Sequence, residues 1–256
     1  MQEIFKVIVL GLVEGITEFL PISSTGHLIL ADKLLGLQGV FTTSFNIAIQ
    51  LGAILAVVWI YFRRLLDFKL WKQLIVAFLP TAVIGLALYK FIKIYLLNNS
   101  TVVLWALALG GVVLIIFEIW YQKKSLTRLP STTISFKNAF IIGIFQSLAI
   151  VPGVSRSAAT IVGGMWLGIS RTMIVEFSFL LAIPTMAAAT GLDLLKNAST
   201  FNMNEWGLLA IGFIMSFFTA MLAVKWLLNY VKNGNFIPFA VYRIVAAIAF
   251  YLILFR

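Results

Sequence analysis

The chain has 256 residues, 62% of them hydrophobic and only 11% charged, with a mean hydropathy of +1.05. A soluble domain carries roughly half apolar residues, so this composition defines a polytopic membrane protein and excludes a soluble enzyme. The net charge of +10 does not imply a nucleic-acid partner, because Lys and Arg cluster at the ends of apolar segments, where they orient helices.

The first apolar run covers 4–31 and is interrupted by Pro21-Ile22-Ser23-Ser24-Thr25. It lacks a basic leader and carries Glu14 and Glu18, which argues against a signal peptide. Three uninterrupted segments follow, about 43–62, 73–97 and 101–121. Each approaches the ~20 apolar residues that a spanning helix needs. A second interrupted run, 137–169, carries Pro152-Gly153-Val154-Ser155-Arg156-Ser157 at its centre. Three more spanning candidates close the chain, about 172–195, 205–230 and 235–256. Proline removes a backbone donor and breaks a helix, which leaves each half of the interrupted runs short of a crossing. Both read as hairpins that enter the membrane and return, with their irregular backbone held inside protein or against a water-filled cavity. The absence of cysteine removes disulfides, thiol nucleophiles and thiolate metal sites.

The two interrupted runs resemble each other. At an offset of 132 residues Gly11 meets Gly143, Glu14 meets Gln146, Ser23 meets Ser155, Thr25 meets Ser157 and Phe45 meets Phe177, while Pro21 and Pro152 sit one residue out of register. Ordered matches of this kind indicate an internal repeat. The loops at 63–72 and 122–137 are basic, the stretch 98–100 is uncharged, and 196–205 holds one Lys and one Glu. The basic loops belong in the cytoplasm. With both hairpins re-entrant, each repeat has three crossings and the second copy is inverted relative to the first. The expected fold is a single all-α membrane domain over 1–256. It has six transmembrane helices and two re-entrant hairpins, with repeat one at about 1–121, repeat two at about 137–256, and a basic cytoplasmic loop at 122–136. The first hairpin dips from outside and the second from inside, so their tips meet near the midplane. In the alternative, eight crossings, the repeats are parallel.

Glu14 and Glu18 are four residues apart and share a helical face. A carboxylate at that depth costs roughly 2.5–3.5 kcal/mol on insertion scales. Two of them repel, and a hard divalent cation such as Mg²⁺ or Ca²⁺ takes oxygen ligands of this kind. Gly11 and Gly15 flank the face and allow close backbone approach. Without a metal, the two acids would serve as polar glue between helices. Ser23, Ser24 and Thr25 open the next half-helix, where hydroxyls cap and free amides face an anion. His27, the only histidine, follows within a turn and is suited to proton transfer. Arg156 lies between Ser155 and Ser157 with Thr160 one turn on, and its fork matches phosphate oxygens. A salt bridge to Glu14 or Glu18 is its other reading, and that too would join the hairpins. Gln50 lines a cavity or bonds between helices. Arg243 pairs with an acid such as Glu176, and Glu118 snorkels at a helix end. No Walker motif and no GxGxxG after a strand is present, which argues against nucleotide-driven work.

These groups make a phosphate site reached from within the membrane, hence an amphiphilic substrate. The segments EGITEFLPISSTGH and PGVSRSAAT, together with FNIAIQLGAILAVV, EFSFLLAIP and FIPFAVYR, resemble the bacterial undecaprenyl-diphosphate phosphatase family of the bacitracin-resistance type, over nearly the whole chain. The resemblance implies hydrolysis of undecaprenyl diphosphate at the outer face of the bacterial plasma membrane, a divalent-metal requirement and the inverted-repeat fold. Bilayer lipid is then the surrounding partner, nucleic acid is not one, and a homodimer is left open. The family's motif residues fall on Glu14, Glu18, Ser24, Thr25, His27, Ser155, Arg156 and Thr160. Ser24 with His27 as acid/base is the favoured catalytic pair, with Thr25 or water as other nucleophiles. Glu14 and Glu18 are the expected metal ligands, and Ser23, Thr25, Ser155, Ser157, Thr160 and Gln50 the expected substrate contacts. A carrier of a lipid-linked phosphate is the competing class, since inverted repeats with broken helices typify transporters.

Overall fold

The structure, a computed structural model, describes residues 2–37, 39–88, 91, 95–96, 99–125, 130–197 and 203–254. Ten α-helices stand among these residues, with no β-strand beyond one isolated bridge between Ser131 and Ile169. In chain order they are α1 (Gln2–Thr17), α2 (Ser24–Leu35), α3 (Val40–Ile60), α4 (Phe68–Ala87), α5 (Ser100–Ser125), α6 (Phe136–Ser147), α7 (Arg156–Trp166), α8 (Arg171–Asn197), α9 (Met203–Tyr230) and α10 (Ile237–Leu254).

Six of them, α3, α4, α5, α8, α9 and α10, are long and apolar enough to cross a membrane, and they match the six uninterrupted segments of the sequence. The second begins at Phe68 rather than at 73, because Asp67 caps it by accepting from the Lys69 amide at 2.8 Å. The end expected at 97 falls largely outside the described residues, as do residue 98, the chain's last two residues, Arg128 and the side chain of Lys124.

The other four helices are short. At 1.5 Å per residue, α2, α6 and α7 reach only about 18 Å, against ~30 Å of hydrocarbon. Their boundaries follow from local chemistry. Pro21 lies in the turns that separate α1 from α2. The Ser23 hydroxyl caps α2 through the Gly26 amide, Ser135 caps α6 through Asn138, and Ser155 caps α7 through Ala158. Gly36, with φ +66°, closes α2 in the left-handed conformation that lacks a Cβ penalty.

Packing exchanges partners between the two halves. Helix α1 lies on α9 while α6 lies on α4, α3 crosses α8, and α5 runs along α10. Small residues set the close approaches. A Cβ on Gly11 would stand 2.6 Å from the Gly212 carbonyl oxygen, and one on Gly15 2.5 Å from that of Ser216. On α6, a Cβ on Gly143 would strike Ala77 and Pro80 of α4.

Two acids have partners other than those expected. Glu118 is fully buried and receives both guanidinium nitrogens of Arg171, at 2.6 and 3.2 Å, so it does not snorkel. Glu176 pairs with Arg64, not with Arg243. Arg243 is also fully buried. It donates to the carbonyls of Ala106 and Leu107 on α5, Pro21 in the first break, and Gly153 and Val154 in the second, at 2.9–3.3 Å. Backbone oxygens therefore take the place of the expected acid.

Candidate active site

The two breaks face a common cavity of about 290 Å³. From the first come Glu18, Ser23, Ser24 and Thr25; from the second come Val151, Pro152, Gly153, Ser155 and Arg156. Helices α3, α4, α6 and α8 complete the wall with Gln50, Thr81, Gln146 and Thr185.

Both capping serines share an unusual backbone. Ser23 (φ +71°) and Ser155 (φ +79°) are the only non-glycine residues with positive φ among the described residues. Such conformations cost about 1–3 kcal/mol and persist where the surroundings fix them. Each caps a helix whose first residues, Ser24 and Thr25 of α2 and Arg156 of α7, line the cavity, and a helix amino end favours an anion.

Glu18 organises the polar groups. One carboxylate oxygen, Oε2, accepts the Ser24 hydroxyl, and the other, Oε1, accepts Arg156 Nη2–H at 2.8 Å. Arg156 is further held by Nη1–H to the Ser178 carbonyl at 2.6 Å and by the Phe19 ring beneath it, 5.8 Å from the ring centre. Its Nε–H is buried without a partner among the described residues. Glu14 sits one helical turn before Glu18, fully buried and off the cavity wall. Neither of its oxygens meets a donor among the described residues. Two orphaned carboxylate oxygens in a buried position need a counter-charge, and a hard cation meets that need. Among the described residues no cluster of three or more His, Cys, Asp or Glu surrounds them, so a cation there would find only the two carboxylates of Glu14 and Glu18.

His27 is turned elsewhere. Its Nδ1 lies 2.8 Å from the Ser23 carbonyl, which can only accept, so Nδ1 carries the proton; Nε2 then accepts from the Tyr242 hydroxyl at 2.9 Å. The ring stacks on Tyr242 of α10 with centroids 5.5 Å apart and does not line the cavity. The expected contact between His27 and Ser24 is thus not formed, because both ring nitrogens are taken by Ser23 and Tyr242 and the Ser24 hydroxyl is taken by Glu18.

Ser157 and Thr160 also stand behind the wall. Ser157 donates to the Leu20 carbonyl at 2.8 Å, stapling one break to the other. Thr160 bonds Ser178 at 2.7 Å and the turn of α7. They position the second break, where substrate contact was expected. Ser23, Thr25, Ser155 and Gln50 do reach the cavity. Thr81 and Thr185 are not among the expected residues, although each directly follows a proline inside a spanning helix, Pro80 and Pro184.

Fold and site together define a polytopic helical membrane protein with a polar cavity built from two interrupted helical segments. The sequence profile of the bacitracin resistance protein BacA family matches residues 7–249. The undecaprenyl-diphosphatase of Sulfurihydrogenibium sp. (strain YO3AOP1) is 50% identical over 248 residues, covering 96% of this chain and 98% of that protein. That of Aquifex aeolicus (strain VF5) is 51% identical over 252 residues, covering 96% of each. That of Wolinella succinogenes is 49% identical over 252 residues, covering 97% of each. The chain belongs to the BacA bacitracin resistance family.

Proposed function

We propose that this protein hydrolyses undecaprenyl diphosphate to undecaprenyl phosphate and inorganic phosphate in the bacterial plasma membrane. The reaction returns the lipid carrier to peptidoglycan synthesis and confers bacitracin resistance. The observation that carries the reading is the Ser24–Glu18–Arg156 chain of hydrogen bonds on the cavity wall, in a chain half identical to proteins named for that activity.

The terminal phosphate docks against the amino ends of α2 and α7 and the guanidinium of Arg156. Ser24 Oγ attacks the terminal phosphorus while its proton passes to Glu18 Oε2. The bridging P–O bond breaks, and undecaprenyl phosphate leaves. Water then hydrolyses the phosphoserine. Glu18 thereby takes the base role expected of His27, which instead fixes α2 against α10. A divalent cation would be held by Glu14 and Glu18 and would neutralise diphosphate charge.

The interrupted segments are read as re-entrant hairpins of an inverted repeat, with the cavity open to the outside. Three observations support the repeat: the exchanged packing of α1 on α9 and α6 on α4, the positive-φ serines 132 positions apart, and the close-approach glycines Gly11 and Gly143 at the same offset.

The test is phosphate release from undecaprenyl diphosphate by purified protein, with Ser24→Ala and Glu18→Gln beside it. Turnover lost in both supports the reading. Movement of the lipid across vesicles without phosphate release would replace it with a transporter.

A further inference from the structure

Gln146 carries an unexplained atom. The residue is 1% exposed, and its carboxamide oxygen Oε1 has no hydrogen-bond partner among the described residues, yet it lies on the cavity wall. A buried acceptor left alone costs about 1–3 kcal/mol. Thr81 donates its hydroxyl proton to the Gly143 carbonyl at 3.1 Å and accepts from Gln146 Nε2 at 2.9 Å, an arrangement that leaves Oε1 as the free end.

That orientation is wrong for holding phosphate. The cavity gathers donors for an anion: Arg156, two helix amino ends and several hydroxyls. An acceptor among them repels phosphate oxygens and calls for a donor of its own. Phosphoserine hydrolysis supplies one, the attacking water. Ser24 enters the cavity from α2 and Gln146 from α6, so a phosphoryl group on Ser24 would have Gln146 on a separate wall.

We propose that Gln146 positions the water that hydrolyses the phosphoenzyme. This rests on the proposed function. Gln146 Oε1 accepts one O–H of the water and aims its oxygen at phosphorus. The new P–O bond forms as the P–Oγ bond breaks, and Ser24 Oγ takes back the proton held by Glu18. One water proton stays on phosphate as its hydroxyl. The other passes to a second phosphate oxygen, so the product leaves as dihydrogen phosphate. Gln146 itself exchanges no proton.

The test uses undecaprenyl diphosphate labelled in its terminal phosphate. Gln146→Ala should release one equivalent of undecaprenyl phosphate per enzyme in a burst. Steady phosphate release should then slow about 100-fold, the loss expected when a reactant is misplaced by ~1 Å. The label should remain on the protein and vanish in the Ser24→Ala/Gln146→Ala double variant. Thr81→Val, which frees the amide but leaves Gln146 in place, should trap the same label with a milder slowing. Phosphate release at the parent rate in both variants overturns the proposal. So does slowing without trapped label, which would put Gln146 before bond cleavage. Full turnover by Ser24→Ala would instead overturn the covalent step on which the inference rests.

Discussion

Arg156 reaches across 138 residues of chain to donate Nη2–H to Glu18 Oε1 at 2.8 Å. Their side chains are 12% and 6% exposed, so neither charge has much water to fall back on. Removing one partner from such a pair leaves the other uncompensated, a loss of about 3–5 kcal/mol. The pair therefore joins the two breaks and keeps both charges at the cavity.

Arg156→Lys keeps the charge but removes the fork. One ammonium cannot serve Glu18, the Ser178 carbonyl and a phosphate together. Phosphate release should fall by about 100-fold or more, the scale on which a single transition-state donor counts. A lysine variant with full turnover would refute the bidentate role.

Glu14 should reveal itself through metal. Its orphaned oxygens make it the freer of the two carboxylates, because both oxygens of Glu18 already accept. Excess EDTA should stop phosphate release, and added Mg²⁺ or Ca²⁺ should restore it. In Glu14→Gln the cation concentration for half-restoration should rise by at least about 10-fold, the lower range for perturbing a metal's surroundings. Undiminished turnover in EDTA would remove the metal role of both acids.

The spans, the two breaks and the glycine contacts were legible in the sequence because each is a local property: hydropathy, a proline, a missing Cβ. The Arg156–Glu18 pair was within reach because two costly charges in apolar runs had few partners to choose from. Side-chain direction was not legible. Ser24 and His27 are three positions apart, yet one turns to Glu18 and the other to Tyr242. Which way α2 presents them depends on the left-handed Ser23, a backbone state that serine seldom adopts. The surroundings of Arg243 were hidden for another reason. Its acceptors are carbonyls exposed by broken helices, and backbone oxygens have no letter in a sequence.

Helix contact at Gly15 sets a stability test. A methyl there would collide with Thr219 Oγ1 and stand 2.5 Å from the Ser216 carbonyl oxygen. Overpacking of this kind costs about 1–3 kcal/mol. Gly15→Ala should lower the temperature at which the detergent-solubilised protein loses its fold. Gly191→Ala, where a Cβ meets nothing within 4 Å, should not. Equal melting of the two variants would show that α1 and α9 can separate without loss.

Arg243 makes the widest set of contacts of any side chain described, and its variant separates stability from alignment. Its guanidinium satisfies carbonyls at Pro21, Gly153 and Val154, so α10 holds both breaks against α5 through Ala106 and Leu107. Lysine has three donors on one nitrogen and cannot span five carbonyls on three segments. Each acceptor left unpaired in a buried site costs about 1–3 kcal/mol, so Arg243→Lys should melt earlier than the parent. Because the freed carbonyls belong to the breaks, the loss should appear first in turnover. At a temperature where the variant is still folded, phosphate release should fall about 100-fold. Gly110→Ala approaches the same guanidinium from α5, since its Cβ would overlap Nη2 and lie 2.8 Å from Cζ, and it should reproduce the effect in weaker form. If both variants lose thermal stability but retain parental turnover when folded, Arg243 is a packing element and the two breaks hold their register without it.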